Sequence, residues 1–192
     1  MTPEPTRADT QLAVLAAGGD DQAFAQLVRR HQDGVYRLLR RYLGSADEAY
    51  EASHEAFVAA WRALPKYDPN RAFGPWLRTI AINKARDRGR RLRVRRLVFG
   101  TKSLEDAFAL EKPDLAPSAD EDLILRERLT ALDRAIAALP SRLKEALLLT
   151  AIEGLSQQEA GATLGVSAKT IETRAYRARK RLVQALAAEV SN

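Results

Sequence analysis

The distribution of charge divides this chain into three parts and constrains its fold more than any other feature. Residues 1–100 carry 18 basic and 11 acidic side chains, and residues 123–192 carry 11 basic and 7 acidic ones. Between them, residues 101–122 carry 2 basic and 7 acidic side chains, together with Pro113 and Pro117. A structureless loop longer than about 15 residues is uncommon inside a compact domain. The pattern therefore predicts two folded units joined by a flexible acidic linker.

Both units have a helix-forming composition. Gly and Pro are few, with 10 and 8 residues among 192, whereas the strong helix formers Ala, Leu and Arg are abundant. We therefore expect an all-α protein of two small helical domains. The predicted organisation is a disordered N-terminus over 1–9, a first domain over 10–99, a linker over 100–121 and a second domain over 122–192.

Capping residues and apolar spacing predict the individual helices. In the first domain the predicted helices cover 11–17, 22–30, 32–43, Ser45 to about Ala63, and a segment from Pro75 into arginine-rich sequence. In the second domain they run from Ser118 to about Ala138, over 142–152, from Ser156 to about Leu164, and over 168–188.

Several classes of protein are excluded by composition. The chain has no cysteine and only two histidines, His31 and His54, so we expect no disulfide, no metal site and no cofactor. The longest apolar run, 146–152, is much shorter than the roughly 20 residues that span a bilayer, and residues 1–10 do not resemble a signal peptide. We therefore expect a cytoplasmic protein without membrane insertion. Because no nucleophile–base pair or phosphate loop is visible, we also expect that it is not an enzyme.

Residues 155–182 have the pattern of a helix-turn-helix, a short helix of about nine residues, a tight turn at Gly165 and a long helix. The outward residues of the second helix are short polar groups or long donors, which suit base edges and phosphates in a major groove. They are Ala168, Lys169, Thr170, Glu172, Thr173, Arg174 and Arg177. A purely solvated role for Glu172 stays open at this point.

A second basic and aromatic region lies in the first domain. Residues 88–96 hold six arginines in nine positions, a density typical of contact with a polyanion, although a solvated tail is the alternative. Just upstream, residues 66–76 interleave aromatic rings with hydrogen-bond donors, a combination that suits unstacked single-stranded bases. The alternative for Phe73 and Trp76 is a place in the core.

The order and spacing of these segments resemble the group IV, or extracytoplasmic-function (ECF), sigma factors of bacterial RNA polymerase, which are two-domain members of the sigma-70 superfamily. The resemblance covers region 2, about residues 10–96, and region 4, about residues 122–188. It is carried by AFAQLVRRHQDGVYRLLRRYLG, HEAFVAAWRALPKYDP, FGPWLRTIAINKARDRGRR and AALPSRLKEALLLTAIEGLSQQEAGATLGVSAKTIETRAYRARKRL.

This resemblance implies a stress-responsive transcription initiation factor. Such a protein binds the clamp helices of the largest polymerase subunit and the flap of the second-largest one. It directs the core enzyme to promoter DNA, with region 4 reading the −35 element and region 2 the melted −10 element. The resemblance also implies control by an anti-sigma factor.

The resemblance assigns roles to residues at matching positions. Region 4 contacts the −35 element through the outward residues named above. The residues implied in −10 recognition are Lys66, Tyr67, Asp68, Asn70, Arg71, Phe73, Trp76, Asn83, Lys84, Arg86 and Arg90. The residues implied in binding the polymerase core are Asp47, Glu48, Glu51, Glu55 and Phe57. This chain departs from the usual family pattern at Glu51, Ala52 and His54, where aspartate, leucine and glutamine are common.

Two other functions are compatible with the residues alone. An autonomous DNA-binding repressor or activator can use the same helix-turn-helix, but it needs a dimer interface for paired half-sites. A protein that mimics a sigma factor to occupy one of its partners does not need the arginine-rich segment or the loop aromatics. Two measurements discriminate among the sigma factor, the autonomous regulator and the mimic. One is complex formation with core polymerase, and the other is binding to promoter DNA with and without core polymerase.

Overall fold

The computed structural model describes residues 5–99 and 119–190, and every regular element within these ranges is helical. The first unit contains α1 (Pro5–Ala17), α2 (Asp21–Leu43), α3 (Ala46–Ala63), a single 3-10 turn (Leu64–Lys66) and α4 (Phe73–Phe99). The second unit contains α5 (Ala119–Ala138), α6 (Ser141–Leu147), a π-helical continuation (Leu148–Ile152), α7 (Gln157–Leu164) and α8 (Ala168–Val190). The all-α prediction with two helical units is confirmed.

The structure differs from the predicted helices at the N-terminal end. One continuous helix, α2, replaces the two predicted between Gln22 and Leu43. Its buried side chains Leu27, Leu38 and Leu39 lie at helical spacing on one face, so packing favours an unbroken helix. Helix α1 begins at Pro5, within the segment predicted to be disordered. Residues 1–4 and most of the predicted linker, 100–118, lie outside the described residues.

Helix α3 lies between α2 and α4 and contacts both of them. Four alanines that are fully buried, Ala49, Ala52, Ala56 and Ala60, form a stripe along α3. Because a methyl side chain occupies little space, this stripe lets the neighbouring helices approach closely, and their larger side chains fill the core. The first unit is therefore a tightly packed bundle that fixes the position of α4.

The core of this bundle continues into the second unit. The buried side chains of Ile136, Leu139, Leu147 and Leu148 belong to the same apolar cluster as those of α2, α3 and α4. A smaller cluster, which includes Ile171, holds the helix-turn-helix together. The two units are thus packed directly against each other. No helix in the described ranges has an apolar stretch long enough to cross a bilayer.

Candidate nucleic-acid interface

Local sequence signals build the helix-turn-helix of α7 and α8. Ser156 begins α7 with a capping box, in which its Oγ accepts from the Glu159 backbone N–H at 3.2 Å and its own N–H donates to the Glu159 carboxylate at 2.8 Å. Gly165 ends α7 with φ of 68°, in the left-handed region that favours glycine. Ser167 then caps α8 by accepting from the Thr170 N–H at 3.2 Å.

A glycine sets the approach of the two helices. A Cβ on Gly161 would lie 2.7 Å from the carbonyl oxygen of Val166, a distance that real Cβ contacts do not reach. The side chain of the neighbouring Ala160 is fully buried against Ile171 and Ala175 in the small cluster. Only glycine at position 161 therefore permits this turn.

The first three turns of α8 present the residues predicted to read the −35 element. Lys169 has 80% of its side chain exposed and donates to Glu172 at 2.9 Å. Thr173 and Arg177 are also exposed, whereas Ala168, Thr170 and Arg174 are half-buried. Exposed Tyr176, which the sequence pattern did not single out, lies on the same face one turn after Glu172 and Thr173. These side chains form one polar surface on the side of α8 opposite its buried residues Ile171 and Ala178, the geometry that enters a major groove.

The loop before α4 combines exposed polar groups with buried rings. Asp68 accepts from the backbone and side-chain nitrogens of Asn70 at 2.9 and 3.0 Å, and the Tyr67 hydroxyl donates to the carbonyl of Arg71. Phe73 is fully buried and Trp76 is half-buried, with their ring centroids 5.4 Å apart. Burial raises the pKa of the Tyr67 phenol. Phe73 is therefore a core residue. Of these two aromatic residues, Trp76 is the one whose ring is partly exposed to solvent.

The exposed members of the predicted −10 set lie in the loop before α4 and on α4 itself. They are Lys66, Asp68, Asn70, Arg71, Asn83 and Arg90. Arg90 pairs with Asp87 at 2.7 Å, and Lys84 is half-buried. Arg86 donates to the Asn83 side chain at 3.1 Å, but its main partner lies in the second unit.

The predicted polymerase-binding residues on α3 divide into two groups. Asp47 and Glu51 are exposed, whereas Phe57 is buried and Glu48 and Glu55 bind the guanidinium of Arg88 on α4. The exposed face of α3 also carries Tyr50 and Val58, which the sequence analysis did not single out. The ring of His54 lies between them and packs on Tyr50 with a centroid distance of 4.3 Å. The spacing of four residues could have indicated this common face.

Charged side chains join the two units. Arg86 donates twice to Glu145, from Nε to Oε1 at 2.7 Å and from Nη2 to Oε2 at 2.6 Å. The Tyr42 hydroxyl donates to the same carboxylate at 3.0 Å. The hydrogen bonds that Arg86 donates to Glu145 raise the pKa of Arg86. Burial, and then the negative charge of Glu145, raises the pKa of Tyr42. Arg78 donates to Glu153 at 2.6 Å. We call Tyr42, Arg78, Arg86, Glu145 and Glu153 the interdomain cluster.

Comparison with known proteins supports the same division of the chain. Two family models match, Sigma-70 region 2 over residues 27–95 and Sigma-70 region 4 over residues 129–182. The RNA polymerase sigma factor CnrH of Cupriavidus metallidurans is 38% identical over 186 residues, which cover 96% of this chain and 97% of CnrH. The ECF RNA polymerase sigma factor SigW of Bacillus subtilis is 31% identical, over 85% of this chain and 89% of SigW.

A solved structure of CnrH in complex with the cytosolic domain of CnrY is similar in three dimensions. It matches with a TM-score of 0.70 and 33% identity, over 94% of this chain and 98% of that one. The fold and its exposed helix-turn-helix thus define a two-domain transcription factor of the sigma-70 type. The chain belongs to the ECF sigma factors, the transcription initiation factors that direct RNA polymerase to promoters.

Proposed function

We propose that α8 reads the −35 element of the promoter while the loop at 66–72 and α4 hold the melted −10 element. The observation that carries this proposal is the exposed polar face of α8, because it is formed by residues that do not contribute to the core. Lys169, Arg174 and Arg177 provide positive charge for phosphates. Thr170, Glu172 and Thr173 provide short polar groups for base edges.

The −10 element is captured by region 2. The exposed Asp68–Asn70 turn presents polar edges to an unstacked base, and the half-buried ring of Trp76 lies close behind it in the sequence. Asn83 on α4 offers an amide, while Lys84, Arg86 and Arg90 hold the backbone. Binding energy from captured bases offsets a melting cost of a few kcal/mol per unstacked step, so opening needs no ATP and the chain itself catalyses no reaction.

Region 2 docks on the clamp helices of the largest polymerase subunit through the exposed side of α3. Acidic Asp47 and Glu51 and the apolar groups of Tyr50 and Val58 share this side. Region 4 binds the flap of the second-largest subunit. The protein acts in the bacterial cytoplasm, where the polymerase and the promoter are found.

An anti-sigma factor controls this sigma factor. The support is the similarity to CnrH, whose structure was solved with the cytosolic domain of CnrY. Both units match that structure together, over 94% of this chain. Control by a protein partner also suits a response to stress.

The test is transcription by reconstituted holoenzyme from a promoter mapped through start sites after overexpression. The double variant Lys169→Ala/Arg174→Ala removes two positive charges from the reading face, so we expect transcription to fall about tenfold or more with unchanged core binding. The matched control is Arg128→Ala/Arg134→Ala, which removes the same charge from exposed positions of α5. Equal transcription by the two double variants would contradict the assignment of α8.

A further inference from the structure

A buried carboxylate links the first two helices. Asp9 on α1 has 6% of its side chain exposed, and its two oxygens accept from Arg30 Nη1 and His31 Nε2 on α2, both at 2.8 Å. A buried carboxylate is costly unless donors compensate it. The Arg30 side chain, which is 46% exposed, supplies the opposite charge. The second hydrogen bond fixes the position of the His31 ring.

The His31 ring extends this contact to the start of α4. It packs on Phe73 with a centroid distance of 5.4 Å, and a Cβ on Gly74 would lie 3.7 Å from its Cε1 atom. Phe73 packs in turn on the rings of Tyr67 and Trp76, with centroid distances of 6.0 and 5.4 Å. Because Phe73 is fully buried, its ring has no room to move independently of His31.

A second contact joins α1 to the loop at 66–72, the −10 loop. Helix α1 packs against the 3-10 turn that precedes this loop and against α4. Burial raises the pKa of the Tyr67 phenol, and a hydrogen bond with the side chain of Thr10 lowers it. The Tyr67 hydroxyl also donates to the carbonyl of Arg71 and so closes the loop. Neighbouring residues of α1, Asp9 and Thr10, thus act at the two ends of the −10 loop.

We propose that Asp9 and Thr10 are positioning residues for promoter opening, which hold the −10 loop in the shape that receives an unstacked base. This inference rests on the proposed function of the −10 loop in binding melted DNA. The turn at Asp68 and Asn70 is exposed, so its own hydrogen bonds compete with water. A loop that is already ordered binds its ligand more tightly, because binding does not have to order it. Helix α1 thereby sets the affinity of region 2 for melted DNA without touching the DNA.

The test compares binding of single-stranded DNA with binding of polymerase. Holoenzyme is formed from the full chain, and fluorescence anisotropy measures its affinity for a labelled single strand with the −10 sequence of a mapped promoter. Asp9→Asn keeps the side-chain shape and removes the charge, and Thr10→Val removes only the hydroxyl. We expect the affinity for the single strand to fall about fivefold in Asp9→Asn and about twofold in Thr10→Val. Affinities for core and for −35 duplex should stay at the wild-type level.

The matched control is Asp20→Ala. Asp20 caps α2 by accepting from the Ala23 N–H at 3.0 Å. This variant therefore destabilises the same pair of helices without touching the path from Asp9 to the loop. All chains are compared at a temperature where each is folded, and we expect wild-type affinity for the single strand. An equal loss of affinity in Asp20→Ala would overturn the proposal, because Asp9 would then act only through the stability of region 2.

A double-variant cycle tests the route through His31. His31→Phe keeps a ring beside Phe73 and removes the hydrogen bond to Asp9. Because the two residues act in one path, the variant Asp9→Asn/His31→Phe should bind the single strand no more weakly than the weaker of the two single variants. Losses that add would overturn this route.

Tryptophan fluorescence separates this proposal from the proposed function. The Trp61→Phe background keeps a ring beside Phe24 and leaves Trp76 as the single tryptophan, so its emission reports on the −10 rings without DNA. We expect Asp9→Asn to shift this emission to longer wavelength at unchanged helix content by circular dichroism.

Unchanged emission in Asp9→Asn, or wild-type affinity for the single strand, overturns the proposal. If Asp9→Asn does not fold, Thr10→Val decides, and wild-type affinity in that variant overturns the proposal. A wild-type holoenzyme that does not bind the single strand contradicts the proposed function instead, and the emission of Trp76 then decides whether α1 positions the loop.

Discussion

The two helices proposed to contact DNA present their positive charge in opposite ways. On α8, Lys169 and Arg177 extend into solvent, and the only ion pair of this surface within the described residues is the exposed one between Lys169 and Glu172. On α4, Arg86 and Arg88 are bound by carboxylates of region 4 and of α3, respectively. The proposed reader of duplex DNA thus keeps its cations exposed, whereas two arginines of the proposed reader of melted DNA are paired with carboxylates of the protein itself.

This difference teaches that arginine density alone does not define a DNA surface. A guanidinium binds a carboxylate and a phosphate through the same planar donors. Arg88 holds α4 against α3, so its role within the described residues is structural. Two kinds of experiment sharpen the comparison between α4 and α8. In region 2, they distinguish the effects of buried residues from those of exposed ones. In region 4, they distinguish effects on folding from effects on DNA binding.

The largest expected effect concerns the rings beside the −10 loop. Phe73 is fully buried, so Phe73→Ala should lower the free energy of unfolding of region 2 by about 3–5 kcal/mol. Trp76→Ala, at a half-buried position, should cost less stability and reduce open-complex formation at a temperature where the variant is folded. Urea unfolding and permanganate footprinting of unpaired thymines measure the two effects. Equal losses of stability would contradict the different burial of the rings.

A smaller effect is expected at the turn of the helix-turn-helix. Gly161→Ala places a methyl group against the Val166 carbonyl, and such overpacking costs about 1–3 kcal/mol. Gly34→Ala is the control, because a Cβ at this position in α2 meets nothing within 4 Å. We expect it to stabilise the protein by about 0.5–1 kcal/mol. Thermal unfolding that ranks the two variants in the reverse order would show that the turn is not tight.

The next effect concerns reading itself and leaves stability unchanged. Asn83 is exposed on α4, so Asn83→Ala should reduce permanganate reactivity at the −10 element several-fold while duplex binding at the −35 element stays constant. Asp87→Asn, an exposed position on the same helix, serves as the control. If Asn83→Ala instead lost binding to polymerase, the result would contradict the assignment of Asn83 to contact with melted DNA.

The smallest expected effect is at the start of α7. Ser156→Ala removes the hydroxyl of the capping box and should cost region 4 about 1 kcal/mol. The hydrogen bond from Ser156 lowers the pKa of Glu159, so the stabilisation is complete above the ordinary value of 4.5 and is lost as the pH falls through the lowered pKa of the folded state. Thermal unfolding at neutral and acidic pH should show the difference between wild type and variant narrowing in acid. If the difference in stability between wild type and variant were the same at both pH values, the Glu159 carboxylate would not contribute to the capping box.

The sequence predicted the helices best where local chemistry determines them. The serine caps at Ser45 and Ser156 and the glycine at Gly165 placed the starts of α3 and α7 and the end of α7 correctly. These signals act through hydrogen bonds within a few residues, so they are visible in the sequence. The continuity of α2 past His31 was missed because tertiary packing of a long apolar face determines it.

The interdomain cluster could not be predicted in the same way. Arg86 and Glu145 are 59 positions apart in the chain, and neither carries a local signal that marks it as buried or paired. The sequence did place Lys169 and Arg177 on the outward face of α8, because helical periodicity determines that face. The assignment of individual residues to DNA and polymerase remains a prediction.

Footprinting on a cognate promoter tests the central claim most directly. The account predicts protection of the −35 element and permanganate-reactive thymines in the −10 element when the chain and core polymerase are both present, and neither signal with the chain alone. Full protection of both elements by the free chain, or no signal with the complete holoenzyme, would contradict it.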